Sequence, residues 1–262
     1  MYAYNFFHNR NAAAAPSFWA RYFSPSFIAQ TIDTGSQASS EQNEMNGVGI
    51  TRIVPLQAPG KARQETAGST GNSYGAADGE GFCHSIDHVL APGGIVGGYG
   101  VSLSTSNMVH CYLDIEIGTR ITQAYWDGWA NAVYNHVTSF GAGAPYYPAA
   151  YCNPASGVGI SATGALVNVC QVLAYRAAGS SMACYRVWSN QPEQLSPCTT
   201  WCLLPGPTWG PRTCSGLGTS LWQFAEQNPC TDSCYSKNPT FPPVDLDKGY
   251  PSEDHRVYML AC

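Results

Sequence analysis

Val109-His-Cys-Tyr-Leu-Asp-Ile-Glu116 is an apolar run that ends in two carboxylates one residue apart and then gives way to a helical pattern. Side chains alternate faces along a strand. Asp114 and Glu116 therefore share one face, while Cys111, Leu113 and Ile115 take the other, toward whatever covers the sheet. Two acids at the C-terminal end of a covered strand mark a candidate active site. A barrel of parallel strands carries its chemistry at that end, and paired carboxylates on one face are what glycosidic bond cleavage uses. The competing reading of the motif is one acid capping the next helix with the second solvated beside it.

Working outward, strand-like and helix-like runs alternate with glycine and proline punctuation, the mark of repeated βα units. Downstream of the acids, Thr122 is placed to cap a helix in which Tyr125, Trp126, Trp129, Ala130, Val133 and Val137 recur at three- and four-residue spacing, a core-facing stripe. Ala149-Ala-Tyr-Cys-Asn153 reads as a strand, Ala165 to Tyr175 as an apolar helix, and Cys184-Tyr-Arg-Val-Trp188 as another strand. Leu221-Trp-Gln-Phe224 and Val244-Asp-Leu-Asp247 close the series. Upstream, Phe82, Ile86, Val89 and Leu90 form a helical stripe. Before it, Ala58 to Gly79 is rich in Gly, Ser, Thr and Asn and reads as a long loop over the catalytic face. Ile50 to Leu56 and Phe18 to Phe23 are strands, Ser39 to Met45 a short helix, and Tyr2 to Phe7 supplies an eighth strand. The expectation is α/β: a single (β/α)8 TIM barrel spanning residues 1–262, a length close to the roughly 250 residues typical of that fold.

Composition narrows the partners. Charged residues are 11% of the 262, the formal net charge is −5, and the lysines are Lys61, Lys237 and Lys248 alone, whereas Tyr and Trp are abundant. No basic cluster offers a path for a phosphate backbone, which argues against nucleic acid. No apolar run approaches the ~20 residues a membrane-spanning helix requires. The start of the chain lacks a signal-peptide pattern, so if the protein is exported its leader has been removed or is not included.

Eleven cysteines nevertheless argue for an oxidising compartment. Cys184, Cys198, Cys202, Cys214, Cys230 and Cys234 fall in one Pro-, Gly- and Ser-rich stretch, read as a disulfide-stapled excursion over residues 184–234 between late strands. Zinc is disfavoured there, because the close pairs are separated by three residues and no histidine intervenes. The odd count leaves one thiol over. Cys111 on the covered strand face is a candidate for a buried free cysteine, and a link to a second chain is the alternative. His84-Ser-Ile-Asp-His88 is similar to a zinc-protease helix motif, but aspartate shortens the reach of the base and spacing identifies no further ligand. Packed or solvated histidines are the expectation, with no metal and no cofactor.

The strand Tyr112-Leu-Asp-Ile-Glu116, the helix Tyr125-Trp-Asp-Gly-Trp-Ala130, the strand Ala150-Tyr-Cys-Asn153 and the closing pair Leu221–Phe224 and Val244–Asp247 together resemble the glycoside-hydrolase-like barrel called domain of unknown function 1906. They are more distantly similar to the family-25 lysozymes. The resemblance covers most of the chain. It implies that Glu116 is the acid/base, Asp114 its partner, and Asp245 a third carboxylate facing the site. These families carry an aspartate on the first strand where this chain has Asn5, an amide that hydrogen-bonds a sugar hydroxyl but takes no part as nucleophile or proton acceptor.

An i, i+2 pair has Cα atoms about 6.6 Å apart, which leaves retention, inversion and substrate-assisted cleavage open. In the substrate-assisted case Asp114 orients an N-acetyl group and Glu116 protonates the leaving oxygen. Tyr151, Trp188, Trp222 and Gln223, at or near strand ends, are candidates for a sugar platform with Asn5. The function expected is that of a secreted glycoside-hydrolase-like protein that hydrolyses or binds an N-acetylhexosamine glycan of peptidoglycan or chitin type. The alternative is a non-catalytic extracellular scaffold or self-assembling structural protein built on a decayed glycosidase barrel; Asn5, the odd cysteine and the low surface charge favour it.

Overall fold

The computed structural model describes residues 19–23, 52–90, 109–116, 118–137, 146–175, 184–190, 208–225, 246–249 and 260–261. Asn5, Asp245, the runs Tyr2–Phe7 and Ser39–Met45, and Cys198, Cys202, Cys230, Cys234 and Cys262 lie outside them. In chain order the elements are β1 (Trp19–Tyr22), β2 (Arg52–Gln57), α1 (Lys61–Gln64), α2 (Gly68–Leu90), β3 (Val109–Ile115), β4 (Arg120–Thr122), α3 (Gln123–Asn135), β5 (Tyr146–Cys152), β6 (Val158–Ile160), β7 (Leu166–Asn168), α4 (Val169–Leu173), β8 (Arg186–Asn190), β9 (Gly218–Ala225), β10 (Leu246–Gly249) and β11 (Leu260–Ala261).

The main sheet runs β1-β2-β3-β5-β8-β9-β10. Each pairing from β1 to β9 is parallel, and β10 returns antiparallel to β9. β11 pairs antiparallel with β2 at Ile53, where β1 holds the opposite edge, so β11 sits on the β3 side of β2. The class is α/β with a mostly parallel sheet, as expected. A complete eight-fold barrel is not seen: the closing strand is antiparallel, and no pairing among the described residues joins β10 to β1.

Both faces of this sheet are covered, which is why β3 is buried along its whole length and is apolar at every position but His110 and Asp114. Cys111, Leu113 and Ile115 pack with Phe82 and Ile86 of α2 and Trp126, Trp129 and Val133 of α3. On the other face Val54, Leu56, Tyr112, Ala149, Tyr151, Trp188 and Leu221 form a second cluster drawn from strands alone. Across that face the Tyr112 hydroxyl lies 2.7 Å from Ser220 Oγ. β3 and β9 are three steps apart in the sheet, roughly 14 Å if it were flat. A tyrosine side chain spans about half of that, so the sheet is strongly curled around the strand-only cluster.

The stretch Ala58–Gly79, read as a loop from its composition, instead holds α1 and the first half of α2. Gly71, Gly75 and Gly79 recur every fourth residue and share one helix face. A Cβ on Gly75 would lie 2.0 Å from the Tyr125 carbonyl oxygen, and one on Gly128 of α3 would lie 2.1 Å from that of Asn72. The glycines that suggested a loop are what let two helix backbones touch. A buried polar network locks the same contact to the sheet. The Trp129 indole donates to Gln57 Oε1 at 2.6 Å, and Gln57 Nε2 donates to the Asp78 carbonyl at 3.0 Å. Asp78 Oδ2 in turn accepts from the Tyr125 hydroxyl at 2.7 Å and from Arg63 Nε at 2.8 Å.

Thr122 caps α3 as its position predicted, its side chain accepting from the Tyr125 amide at 3.2 Å. Tyr125, Trp126, Trp129, Ala130 and Val133 are buried, but the helix stops at Asn135 and Val137 is 89% exposed. The apolar helix expected over 165–175 is split. Leu166–Asn168 pairs with β6, and Asn168 then caps the short α4 by accepting from the Cys170 amide at 2.8 Å. β4, β6 and β7 form a separate three-stranded sheet.

Cys170 of α4 and Cys214, just before β9, form a disulfide. With a sequence separation of 44, closure of this loop contributes about 4 kcal/mol on the chain-entropy estimate. One end of the cross-link lies outside the expected 184–234 excursion. Cys184, counted among the stapling cysteines, is a buried free thiol together with Cys83, Cys111 and Cys152. The expectation of a single unpaired cysteine is thereby corrected: these four side chains serve as small apolar core residues. Burial pushes the Cys152 thiol up to about 12 and raises those of Cys83 and Cys184 as well. An alkylating reagent applied to the native protein should therefore leave all four unlabelled, and denaturation without reductant should expose them together. Labelling of any of the four in the native state, located by peptide mass mapping, would contradict this packing.

Candidate functional site at the strand ends

Parallel register carries one row of side chains across the curled face. Asp114 of β3 pairs with Tyr151 of β5, Tyr151 with Trp188 of β8, and Trp188 with Leu221 of β9. Two residues further on, Asn190 pairs with Gln223. Both rows lie at the C-terminal ends of the parallel strands, where open α/β sheets and barrels alike place their ligands.

The polar members are joined. Asn190 Nδ2 donates to the Tyr151 hydroxyl at 2.7 Å, and that hydroxyl donates to Gln223 Oε1 at 2.5 Å. At the other end of the row the Tyr22 hydroxyl, from the last residue of β1, donates to Asp114 Oδ2 at 3.0 Å. Gln64 of α1 steadies the strand end by donating to the Asp114 carbonyl at 3.0 Å. Asp114 Oδ1 and Asn190 Oδ1 are buried acceptors with no hydrogen-bond partner among the described residues. Asp114 is 2% exposed. Burial, reinforced by the charge of Glu116 and opposed by the Tyr22 hydrogen bond, lifts its carboxyl from 3.8 to about 7.

Glu116 is exposed, just past the end of β3. It lines a cleft of about 470 Å³ with Lys61, Glu65, Arg120, Asn153 and Ser156. α1 is held against this wall by the Arg120 amide, which donates to Glu65 Oε1 at 3.1 Å, and by the Thr122 hydroxyl, which donates to the Thr66 carbonyl at 2.6 Å. Asn153 folds the far wall by accepting from the amides of Ala155 and Ser156 at 3.0 and 3.1 Å.

Of the expected site residues, the structure joins Asp114, Tyr151, Trp188 and Gln223 in adjoining rows and leaves Glu116 in the neighbouring cleft, close enough for its charge to act on Asp114. Trp188 and Tyr151 are buried edge-on to one another, with ring centroids 5.1 Å apart. They form the floor of the site, not an open stacking platform. Trp222 is not part of it. Lying between Leu221 and Gln223 it takes the opposite face of β9, where it packs edge-on to Trp209 at 6.1 Å. Tyr22, Gln64 and Asn190 were missed by sequence reasoning. For Tyr22 and Asn190 a signal existed, since each lies at the C-terminal end of a parallel strand as Asp114 does. For Gln64 none did, because its helix was read as a loop.

No helix among the described residues is long and apolar enough to cross a membrane. No family model matches the chain, and no curated protein does. Among solved structures the chain is similar to one described as an uncharacterized B. stearothermophilus protein, with a TM-score of 0.53 and 13% sequence identity over 95% of this chain and 90% of that one. At that identity the similarity speaks for a shared fold alone.

Proposed function

We propose that the protein is a secreted glycoside-hydrolase-like barrel that binds and cleaves an N-acetylhexosamine glycan of peptidoglycan or chitin type at the C-terminal ends of its strands. The observation that carries the reading is the Asp114 carboxyl. It is buried at a strand end with one oxygen lacking a hydrogen-bond partner among the described residues, beside a Tyr-Asn-Gln chain and within reach of the charge of a second acid on an open cleft. Buried acceptors without donors are rare in folded proteins. Sugar hydroxyls and acetamido N–H groups are donors of the kind Asn190 Oδ1 would accept, and the protonated Asp114 Oδ1 would give a hydrogen bond to a sugar oxygen. The sequential parallel order and the strand-only cluster support a barrel-like enclosure, and the Cys170–Cys214 disulfide supports an extracellular setting.

Burial reverses the division of labour expected within the pair. Asp114, which keeps its proton up to about pH 7, is the group with a proton to give to the leaving oxygen. Glu116, on the cleft wall, faces the sugar and helps hold that proton in place through its charge. Turnover of N-acetylglucosamine oligomers or peptidoglycan fragments should then fall as the pH rises through 7, and Asp114→Asn should reduce it by about 10² to 10⁴. A loss below tenfold would remove Asp114 from this role.

A binding-only barrel is the second reading, favoured by how completely Asp114 and the aromatic floor are covered. It expects the same oligomers to bind, seen by calorimetry, with no cleavage and no effect of Glu116→Gln. Neither binding nor cleavage of either glycan would overturn both readings.

A further inference from the structure

A second cluster of chemistry-bearing side chains lies at the opposite end of the sheet. α2 leaves the C-terminal end of β2 and returns the chain toward the start of β3, so its last turns reach the N-terminal ends of the strands. Glu80 and His84 are one turn apart there and share a helix face. His136 follows directly on α3 and is its C-terminal cap. The three side chains converge: Glu80 Oε1 lies 2.9 Å from His84 Nε2 and 3.4 Å from His136 Nδ1. One donor atom from each of the three falls within 4.8 Å of the other two.

His136 is the fixed member. Its side chain is 2% exposed, and its ring lies flat against Tyr146 at the start of β5, with centroids 5.7 Å apart. Its Nε2 is 3.0 Å from Asp87 Oδ2, and the other oxygen of Asp87 accepts from the Tyr146 hydroxyl at 2.6 Å. A carboxylate on one imidazole nitrogen places the proton there and leaves the second nitrogen free to ligate. That second nitrogen, Nδ1, is buried, directed at Glu80 and His84, and without a hydrogen-bond partner among the described residues.

We propose that Glu80, His84 and His136 form a zinc-class metal site that clamps the second half of α2 to the end of α3, with Asp87 as the outer carboxylate that orients His136. Two imidazoles and one carboxylate are a donor set that suits zinc, with solvent in the fourth position. Tetrahedral bonds of about 2.0 to 2.2 Å separate neighbouring donors by roughly 3.3 to 3.6 Å. Glu80 and His84 are 50% and 59% exposed and free to make the small rotations this needs. The site is independent of the strand-end carboxylates and of any activity they support.

Titration of the full chain with zinc chloride in a calorimeter tests the assignment. The expected result is one tight site per chain and a higher unfolding temperature in the bound state, because the ion binds only the folded arrangement. His84→Ala, at an exposed position that leaves the fold intact, should weaken binding at least about 100-fold and abolish the thermal shift. Asp87→Asn should weaken it by about 10- to 100-fold through loss of the outer hydrogen bond. Absence of zinc binding by the wild type, or binding that persists unchanged in His84→Ala, would overturn the site.

Discussion

Gly75→Ala should unfold or severely destabilise the protein, although the same change at an open helix position stabilises by about 1 kcal/mol. The reason is the contact with α3, where the added methyl would lie 2.0 Å from the Tyr125 carbonyl oxygen and 2.8 Å from the Trp129 amide nitrogen. Both obstacles are backbone, so no rotamer change relieves them. The helices must separate, which pulls Tyr125 from Asp78 and Trp129 from Gln57. Overpacking of a rigid contact costs about 1 to 3 kcal/mol, and loss of these buried hydrogen bonds adds to it. A fall of roughly 10 °C in the unfolding midpoint, or failure to fold, is the expected outcome. Ser73→Ala, exposed on the same helix, is the control and should be neutral or mildly stabilising. A midpoint for Gly75→Ala within a degree or so of wild type would show that the helices are not in backbone contact.

Asp114→Asn should stabilise the fold above neutral pH and do so progressively less in acid. The carboxyl titrates at about 7 in the folded protein and near 3.8 when exposed, so the folded state holds the extra proton between those limits. Stability is therefore full below about pH 4 and declines as the pH rises toward 7, the opposite of the usual salt-bridged aspartate. At about 1.36 kcal/mol per pH unit the wild type forfeits on the order of 4 kcal/mol across this window. The amide carries no charge to desolvate and still accepts from Tyr22, so it escapes that loss. Denaturant melts at pH 5 and pH 8 measure the effect: the gain for the variant should be large at the higher pH and small at the lower. Equal gains at both would mean that Asp114 is ionised in the fold throughout, which would also remove it as a proton donor. Set beside the predicted fall in turnover, a more stable and less active variant is the mark of a group kept in place for function rather than for stability.

The strands were the most legible part of the chain. Val109–Ile115 is buried along its length and Tyr146–Cys152 is buried at all but Tyr147, and a doubly covered strand reads as a mostly apolar run, here interrupted by His110 and Asp114. Thr122 announced its helix because a cap is a local device: a hydroxyl, three residues and a free amide. The position of Asp114 at a strand end followed from the same local arithmetic.

What depended on distant residues was not legible. The glycine-rich stretch over 68–79 has the composition of a loop, and only the backbone of α3 lying against it makes those glycines a helix face. Cys184 looked like one of a set of linked cysteines, yet pairing depends on which sulfurs meet, and the one that met Cys170 was Cys214. Alternation along β9 divided Trp222 from Gln223, but which of the two faced the site was decided by the curl of the sheet that brought Gln223 to Tyr151. Spacing set both acids at the end of one strand; burial, which belongs to the packed neighbours and not to the motif, is what raises the Asp114 carboxyl. His84 and His136 lie more than fifty residues apart and share no pattern, and they meet because the end of α3 lies against the second half of α2. Local sequence marked where the parallel strands of the main sheet run and where polar atoms interrupt them, since both follow from neighbours along the chain, but not the short strands of the second sheet. The tertiary structure alone decided which of those atoms lost water and what they faced, since desolvation and contact are set by chain segments far apart in sequence.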